Sequence, residues 1–416
     1  MRRRILFAVL AMATGQTAVY LIRPTTSYRL LGLGYGPAAV GIVAAAFALI
    51  PLFLAIPLGR RADQRHGARL LLFGCAVEAA GCTLLALGHS AITIAAGSAV
   101  VGIGHLAVAL GAQGVIAHES SDDQHDQHFA LLTAGVSVGQ LVGPLTGGFV
   151  LGHRSGDALL SATTHAMLVG AGICVLATVL AAVGERDHGT ETAEEGDVPH
   201  ARVTSILGTR GVPAAIFASV AVLSATDVFT TYMPVLGEHR HIGPAVIGVL
   251  LALRAAASLA SRIGIGRLVR LAGRARLMTA AAGAAAAAFA AMTLTSNVVV
   301  LGALAIVVGA GLGFAQPLSM TIVVQLVPPH ARASALAVRL TGNRLGQVAT
   351  PAAAGLVAGS AGASSVFWMT SGLLAVSGLA VAKRPQPVAE EVQRRGDDDR
   401  ERLGVGAPEP ELDQTV

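Results

Sequence analysis

The sequence has 416 residues, of which 53% are hydrophobic and only 13% charged, with a formal net charge of +5. Soluble domains carry about 25% charged residues, so this chain lacks the polar surface that a soluble protein of its size needs. The basic residues are spread between apolar segments instead of forming one patch, which argues against a nucleic-acid partner. The composition therefore predicts a membrane protein.

Apolar segments that reach the roughly 20 residues needed to cross a bilayer follow one another along the chain. We predict twelve transmembrane helices at residues 5–30, 38–58, 69–88, 91–117, 129–151, 162–183, 213–236, 244–265, 276–296, 298–327, 333–358 and 364–382. The first follows Met1-Arg-Arg-Arg4 and is similar to a secretory signal. Because eleven further spans follow it, we expect an uncleaved helix.

Arginine and lysine in the loops predict the orientation. With the N-terminus in the cytoplasm, seventeen of these residues fall on the inner side and three on the outer side, the tail excluded. We therefore expect a multi-pass protein of the inner (plasma) membrane with both termini cytoplasmic. Residues 1–184 and 213–384 would form two six-helix bundles, residues 185–212 a polar cytoplasmic loop, and residues 385–416 a disordered tail.

An internal repeat without gaps relates the two halves at a constant offset of 207 residues. Gly36-Pro37-Ala38 returns as Gly243-Pro244-Ala245, and Gly139-Gln140 returns as Gly346-Gln347. Six spans per copy place both copies in the same membrane orientation. Parallel repeats of this kind are one of the two repeat types of secondary transporters, in which the halves rock around a solute site between them.

The loop after the second span reads Gly59-Arg-Arg-Ala-Asp63-Gln-Arg-His-Gly67-Ala-Arg69. It resembles the signature G-x-L-a-D-r-x-G-r-r of the major facilitator superfamily, with Gly59 and Asp63 in register and Gly67 and Arg69 one residue late. The resemblance covers essentially the whole chain except the tail. It implies an all-α fold of two parallel, pseudo-symmetric six-helix bundles, in which Asp63 latches the cytoplasmic side. The alternative is a charged cytoplasmic turn.

The fifth span contains Gly139-Gln-Leu-Val-Gly143-Pro144-Leu-Thr-Gly147-Gly148. This is similar to the G-x-x-x-G-P-x-x-G-G motif of drug:proton antiporters within the superfamily, and it implies export. Close packing against a facing helix is the general use of such glycines and remains the alternative. The sequence departs from those antiporters at Ser98, where they usually carry an arginine, so proton coupling by that arginine is not expected.

Charges at membrane depth are costly and are functional candidates by default. Only two acids, Glu78 and Asp227, lie within the spans. The resemblance places the first, fourth, seventh and tenth spans around the central cavity. The candidates for the transport path and for proton coupling are Asp227, Arg23, Tyr20, Gln16, His105, Arg254, Gln316, Arg339 and Asn343.

Asp227 is the predicted proton carrier. A carboxyl group in a poorly hydrated site binds protons more readily, and a neighbouring arginine reverses that preference. A permanent Asp227–arginine pair that holds helices together is the alternative. His105 is a second titratable candidate, although a lone histidine in a helix is more often simply hydrogen-bonded. Glu78 belongs to a span that the family places at the periphery, and the sequence assigns it no role.

The leading hypothesis is a proton-driven antiporter that exports a small organic compound and acts as a monomer. Its rivals are a proton symporter for uptake and a transport-dead receptor or scaffold. The chain shows no phosphate loop, no metal-ligand set and no nucleophile–base pair, so we expect no cofactor, no metal and no enzymatic activity. Several arginines and few acids favour an anionic or neutral polar substrate over a cationic drug.

Overall fold

The computed structural model describes residues 3–62, 66–120, 124–185, 203–328 and 331–382. The secondary structure in these ranges is entirely helical. The first half contains α1 (Arg3–Gly32), α2 (Pro37–Arg61), α3 (Gly67–Leu87), α4 (Ala91–Glu119), α5 (His125–Leu151) and α6 (Gly156–Glu185). The second half contains α7 (Val203–Gly208), α8 (Val212–His239), α9 (Pro244–Ile263), α10 (Ile265–Ala272), α11 (Arg274–Met292), α12 (Val298–Leu326), α13 (Arg332–Ala361) and α14 (Ala363–Ala382).

Local sequence sets the same helix start in both halves. Gly36 and Gly243 are extended and place Pro37 and Pro244 in the first turn of α2 and α9. Proline suits this position because the first N–H groups of a helix have no intrahelical partner. The repeated Gly-Pro pair therefore begins an equivalent helix in each copy.

The predicted all-helical membrane fold is confirmed. Eleven of the described helices are long and apolar enough to cross a bilayer. The remaining predicted span, 333–358, lies in α13, which is 30 residues long but less apolar. Its polar side chains face α8, where the side chain of Asn343 accepts a hydrogen bond from Ser219 at 3.0 Å.

Two short helices were not predicted. In the predicted central loop, α7 precedes α8, and the side chain of Ile206 packs in a buried cluster with Val212 and Val323. The second, α10, lies between α9 and α11 and buries no side chain. Residues 186–202 of the loop and the predicted tail lie outside the described residues.

Each half is held together by its own helix pairs. In the first half, α1 packs against α5 and α6, and α3 packs against α4 and α6. In the second half, α8 packs against α12, α13 and α14. Between the halves, α2 packs against α13, α5 packs against α9, and α1 meets α8. We call the end of the molecule where α1 and α8 terminate the distal end, and the opposite end the proximal end.

The halves approach most closely near the distal end, through the same glycine contact made twice. A Cβ atom on Gly41 of α2 would lie 2.6 Å from the Cα of Gly355 in α13. Gly248 of α9 is the repeat equivalent of Gly41, and a Cβ there would lie 2.5 Å from the carbonyl oxygen of Pro144 and 3.0 Å from the Cα of Gly148. Only glycine allows this approach, so these contacts close the distal end.

Replacing Gly248 with leucine should open the distal end. The added side chain cannot fit against α5, so the halves must separate there. Spin labels at Ser155 and His239, which are exposed distal residues of the two halves, should report a longer distance in the variant. Gly283→Leu is the matched control because nothing lies within 4 Å of a Cβ at that position. Equal distances in both variants would contradict the glycine closure.

Candidate functional site

A buried ion pair joins the halves at the centre of the molecule. The Nη1 atom of Arg23 in α1 lies 2.6 Å from Oδ1 of Asp227 in α8, and the two side chains are 11% and 3% exposed. One turn further along both helices, the Ser27 hydroxyl donates a 2.9 Å hydrogen bond to the carbonyl oxygen of Thr231. The structure therefore brings together the predicted proton carrier and one of the predicted arginines.

Further side chains hold both members of the pair in place. The side-chain amide of Gln347 in α13 donates to Oδ2 of Asp227 at 3.2 Å, and Arg344 donates to the amide oxygen of Gln347 at 3.0 Å. On the other side, the Arg23 guanidinium lies 5.1 Å from the ring centroid of Phe47. Both carboxylate oxygens of Asp227 are thus engaged, and cation–π contact supports the arginine.

Arg254 in α9 is a predicted site residue that forms no ion pair with any described residue. It is 2% exposed, and its Nε has no hydrogen-bond partner among the described residues. The charge of Asp227 attracts it, whereas the charges of Arg262 and Arg23 repel it. Several cations and one carboxylate therefore share the centre of the molecule.

The first helix carries three of the predicted path residues on one stripe. Gln16 and Tyr20 are buried in α1 beside Arg23, and the Oε1 atom of Gln16 has no hydrogen-bond partner in the described part of the chain. Since residues i, i+4 and i+7 share one face of a helix, this stripe faces the ion pair.

The remaining predicted path residues make contacts within the second half. The Nη2 atom of Arg262 donates to the amide oxygen of Gln316 at 3.2 Å. Arg339 lies 3.5 Å from the hydroxyl of Ser319. Gln316 is exposed, whereas Arg339 is buried. Neither of these contacts, nor the Ser219–Asn343 bond, reaches the first half.

Glu78 and His105 form a second buried group that the sequence did not predict as a pair. Glu78 is fully buried, and its Oε1 lies 3.4 Å from Nδ1 of His105, although neither atom has hydrogen-bond geometry with any described partner. Oε2 of Glu78 lies 3.9 Å from the Sγ of Cys174 in α6. The carboxyl group thus lies inside the first half, and His105 points towards it.

Small residues on both helices bring this pair together. A Cβ on Gly104 of α4 would lie 2.6 Å from the backbone nitrogen of Glu78, and one on Gly74 of α3 would lie 2.6 Å from the nitrogen of Val108. The glycines in α3 and α4 are the sequence signal for a close approach of these helices, but they do not identify the side chains that meet. His105 also stacks near Phe47, with ring centroids 5.7 Å apart.

The glycine motif of α5 positions the polar stripe of α1. A Cβ on Gly139 would lie 2.6 Å from the Cβ of Gln16, and one on Gly143 would lie 2.9 Å from the Cβ of Tyr20. Gly147 faces Leu21, while Gly148 faces α9 of the other half. The motif therefore packs α5 against α1 and α9 at once.

The predicted cytoplasmic gate is described only in part. Asp63 lies outside the described residues. Gly67 packs against α4, where a Cβ would lie 2.9 Å from the carbonyl oxygen of Gly111. A Cβ on Gly59 would meet no described atom of another segment within 4 Å. Arg69 forms a 3.3 Å ion pair with Glu185. The proposed latch stays a prediction.

Removing His105 should destabilise the first half. In His105→Phe the carboxyl group of Glu78 stays buried without its nearest polar partner, which costs about 1–3 kcal/mol. The melting temperature of the purified protein should fall, and Glu78→Gln together with His105→Phe should recover part of the loss. A double variant less stable than His105→Phe alone would contradict the pairing.

Comparisons with known proteins agree on one family and one fold. A family model described as Major Facilitator Superfamily matches residues 5–301 and, in an overlapping alignment, residues 215–407. The chain has no significant match among curated protein sequences.

Solved structures match nearly the whole chain. The nucleoside transporter NupG is 16% identical with a TM-score of 0.68, and the match covers 92% of this chain and 100% of that one. A POT family transporter in complex with a thioalcohol-conjugated peptide is 14% identical with a TM-score of 0.71, covering 91% of this chain and 95% of that one. A bacterial homologue of the human lysosomal transporter Spinster, inward-facing and occupied, is 13% identical with a TM-score of 0.70, covering 92% and 98%.

At these identities the solved structures show a shared fold and nothing about the solute. The family model covers more than half of the sequence, and the helical fold agrees with it. The chain belongs to the major facilitator superfamily and is a secondary transporter.

Proposed function

We propose that this protein couples the movement of a small organic solute to that of protons, with Asp227 as the proton carrier. The observation that carries the proposal is the buried Arg23–Asp227 ion pair, 2.6 Å long, between the two halves. Arg23 belongs to one half and Asp227 to the other. The arrangement of the halves therefore decides whether the negative charge of Asp227 is stabilised. That dependence is what proton coupling requires.

The coupling follows from the cost of separating buried charges. When the halves move apart at the distal end, Arg23 in α1 and Asp227 in α8 lose contact. An unpaired carboxylate in a poorly hydrated site is strongly disfavoured, and a bound proton removes its charge. Protonation of Asp227 therefore favours separation of the halves, and release of the proton favours their return.

The orientation predicted from the loop charges gives this cycle a direction in the membrane. With both termini in the cytoplasm, the distal end faces the outside. The glycine contacts between α2 and α13 and between α5 and α9 then seal the outer side. In this state the solute site exchanges with the cytoplasm, and the Arg23–Asp227 pair closes the outer path.

Export in exchange for protons is one of two candidate directions of transport. It is supported by the similarity of residues 139–148 to the drug:proton antiporter motif, whose glycines pack on α1 and α9. Ser98 departs from that subfamily, and its hydroxyl donates to the carbonyl oxygen of Val43 at 3.0 Å. Proton coupling therefore depends on Asp227 instead of an arginine in α4.

Uptake together with protons is the second candidate, and the charge of the site supports it. Arg23, Arg254 and Arg344 surround the single carboxylate of Asp227. Protonating that carboxylate makes the site more positive. A solute with negative charge would then bind more tightly to the protonated protein, and the two would travel in the same direction.

Replacing Asp227 with asparagine, which imitates the protonated acid, should favour distal opening at neutral pH. Spin labels at Ser155 and His239 should then show a longer distance, as the unsubstituted protein should at acidic pH. Glu78→Gln is the matched control, since it neutralises a buried acid that lies within one half. If the spin-label distance in Asp227→Asn still changes with pH as in the parent protein, Asp227 is not the proton carrier. The Arg23–Asp227 pair would then have a structural role.

Inside-out membrane vesicles separate the two directions. The vesicles receive a soluble metabolite extract labelled with ¹³C, with the lumen held acidic, and Asp227→Asn vesicles serve as the control. Export in exchange for protons predicts that a labelled compound accumulates in the lumen, read by mass spectrometry. Accumulation only in right-side-out vesicles with an acidic exterior would support uptake. No gradient-dependent accumulation in either orientation would favour a receptor or scaffold.

A further inference from the structure

We propose that the solute is a small organic anion, and that the guanidinium group of Arg254 binds its carboxylate or phosphate group. This inference rests on the proposed transport function and names the class of substrate. It comes from Arg254, which is 2% exposed and has an Nε without a partner in the described chain.

The neighbours of Arg254 include further cations, which make binding of a negative charge at this place more favourable. The cations Arg23 and Arg262 repel Arg254, and among the described residues only the carboxylate of Asp227 attracts it. That carboxylate is already engaged by Arg23 and by Gln347. None of the ion pairs among the described residues includes Arg254.

A buried guanidinium without an anion is costly to the fold. The cost is offset in a complex in which a bound anion neutralises the guanidinium. Arginine suits this role because its planar donors match the two oxygens of a carboxylate or phosphate. The substrate thus acts as the counter-ion that no described residue provides in an ion pair.

The surroundings provide hydrogen bonds for the rest of the molecule. Tyr20 lies near Arg254 across the interface between the halves. One turn away, Gln16 is buried, and its amide oxygen has no partner among the described residues. A Cβ on Gly309 of α12 would contact the backbone carbonyl of Arg254. Close packing therefore holds the backbone of Arg254, while its side-chain donors stay available.

An anionic solute also determines the sign of the coupling. The negative charge of a solute on Arg254 and the nearby carboxylate of Asp227 repel each other. Binding of the solute therefore favours a proton on Asp227, and a proton on Asp227 favours binding, as thermodynamic linkage requires. This linkage favours uptake with protons over export in exchange for protons.

Three probes of one shape but different charge test the inference. Benzoate, benzyl alcohol and benzylamine are added separately to the purified protein at equal ionic strength, and the melting temperature is recorded. Benzoate should raise it in a saturable way, and the other two should not. Arg254→Gln should abolish the response, whereas Arg154→Gln, at an exposed distal arginine, should keep it.

A stronger response to benzylamine or benzyl alcohol than to benzoate, or no response to any of the three, would overturn the proposal. A second measurement does not depend on the probe. Arg254→Met without ligand should melt no lower than the parent, because it removes an uncompensated charge. Arg23→Met should melt lower, because it leaves Asp227 alone.

A lower melting temperature for Arg254→Met would show a structural role and contradict the anion site. Failure of the anion site leaves the pH response of the spin-label distance intact. Failure of the proton carrier abolishes that response and leaves benzoate binding unchanged. The two proposals can therefore fail separately.

Discussion

The ion pair between Arg23 and Asp227 connects the chemistry of this protein to its architecture. Two unit charges about 4 Å apart attract each other by about 4 kcal/mol at an effective dielectric constant of ~20, which approaches the stability of a small domain. Removing one partner of a buried pair costs about 3–5 kcal/mol. Because the partners belong to different halves, any rearrangement of the halves must either break this attraction or neutralise one of the charges. If a proton neutralises Asp227, the ion pair alone makes the arrangement of the halves depend on pH.

The pair lies within a frame that the duplication makes nearly symmetric. The Gly41–Gly355 and Gly248–Gly148 contacts are equivalent under the offset of 207 residues. The chemistry at the centre is not symmetric. Tyr20 and Asp227 occupy equivalent positions, and so do Phe47 and Arg254.

The repeat therefore accounts for the equivalent glycine contacts but not for the charges at the centre. Phe47 supports Arg23 by stacking, whereas Arg254 has no such neighbour to satisfy it among the residues that the structure describes. One half holds the cation of the ion pair, and the other holds both the acid and the unpaired guanidinium. The two otherwise equivalent halves therefore contribute different charges to the centre of the molecule.

Much of the fold could be predicted from the sequence because lipid imposes strong rules on it. Span length, loop charge and the Gly-Pro repeat are local signals, and they indicated the spans and the relation between the halves. The approach of Arg23 to Asp227 could also be expected, since both stand out in apolar helices. By contrast, the short helices α7 and α10 lie between spans, where hydropathy gives no signal.

The pairing of Glu78 with His105 could not be predicted, because it depends on how α3 and α4 are rotated about their axes. Glycine spacing permits a close approach but does not specify which side chains meet. The same limit applies to Arg254. Its presence in a span was evident from the sequence, yet only the packed structure shows that its Nε has no partner among the described residues. Composition already favoured an anionic or neutral polar substrate, but it did not single out Arg254.

A double-mutant cycle on the melting and denaturant stability of Arg23→Ala, Asp227→Ala and the combined variant tests the central claim most directly. If these residues form the ion pair that joins the halves, each single variant leaves one buried charge without its partner. The double variant should then lose much less stability than the sum of the two single losses. Strictly additive losses would show that Arg23 and Asp227 do not interact, and would contradict proton coupling through this pair.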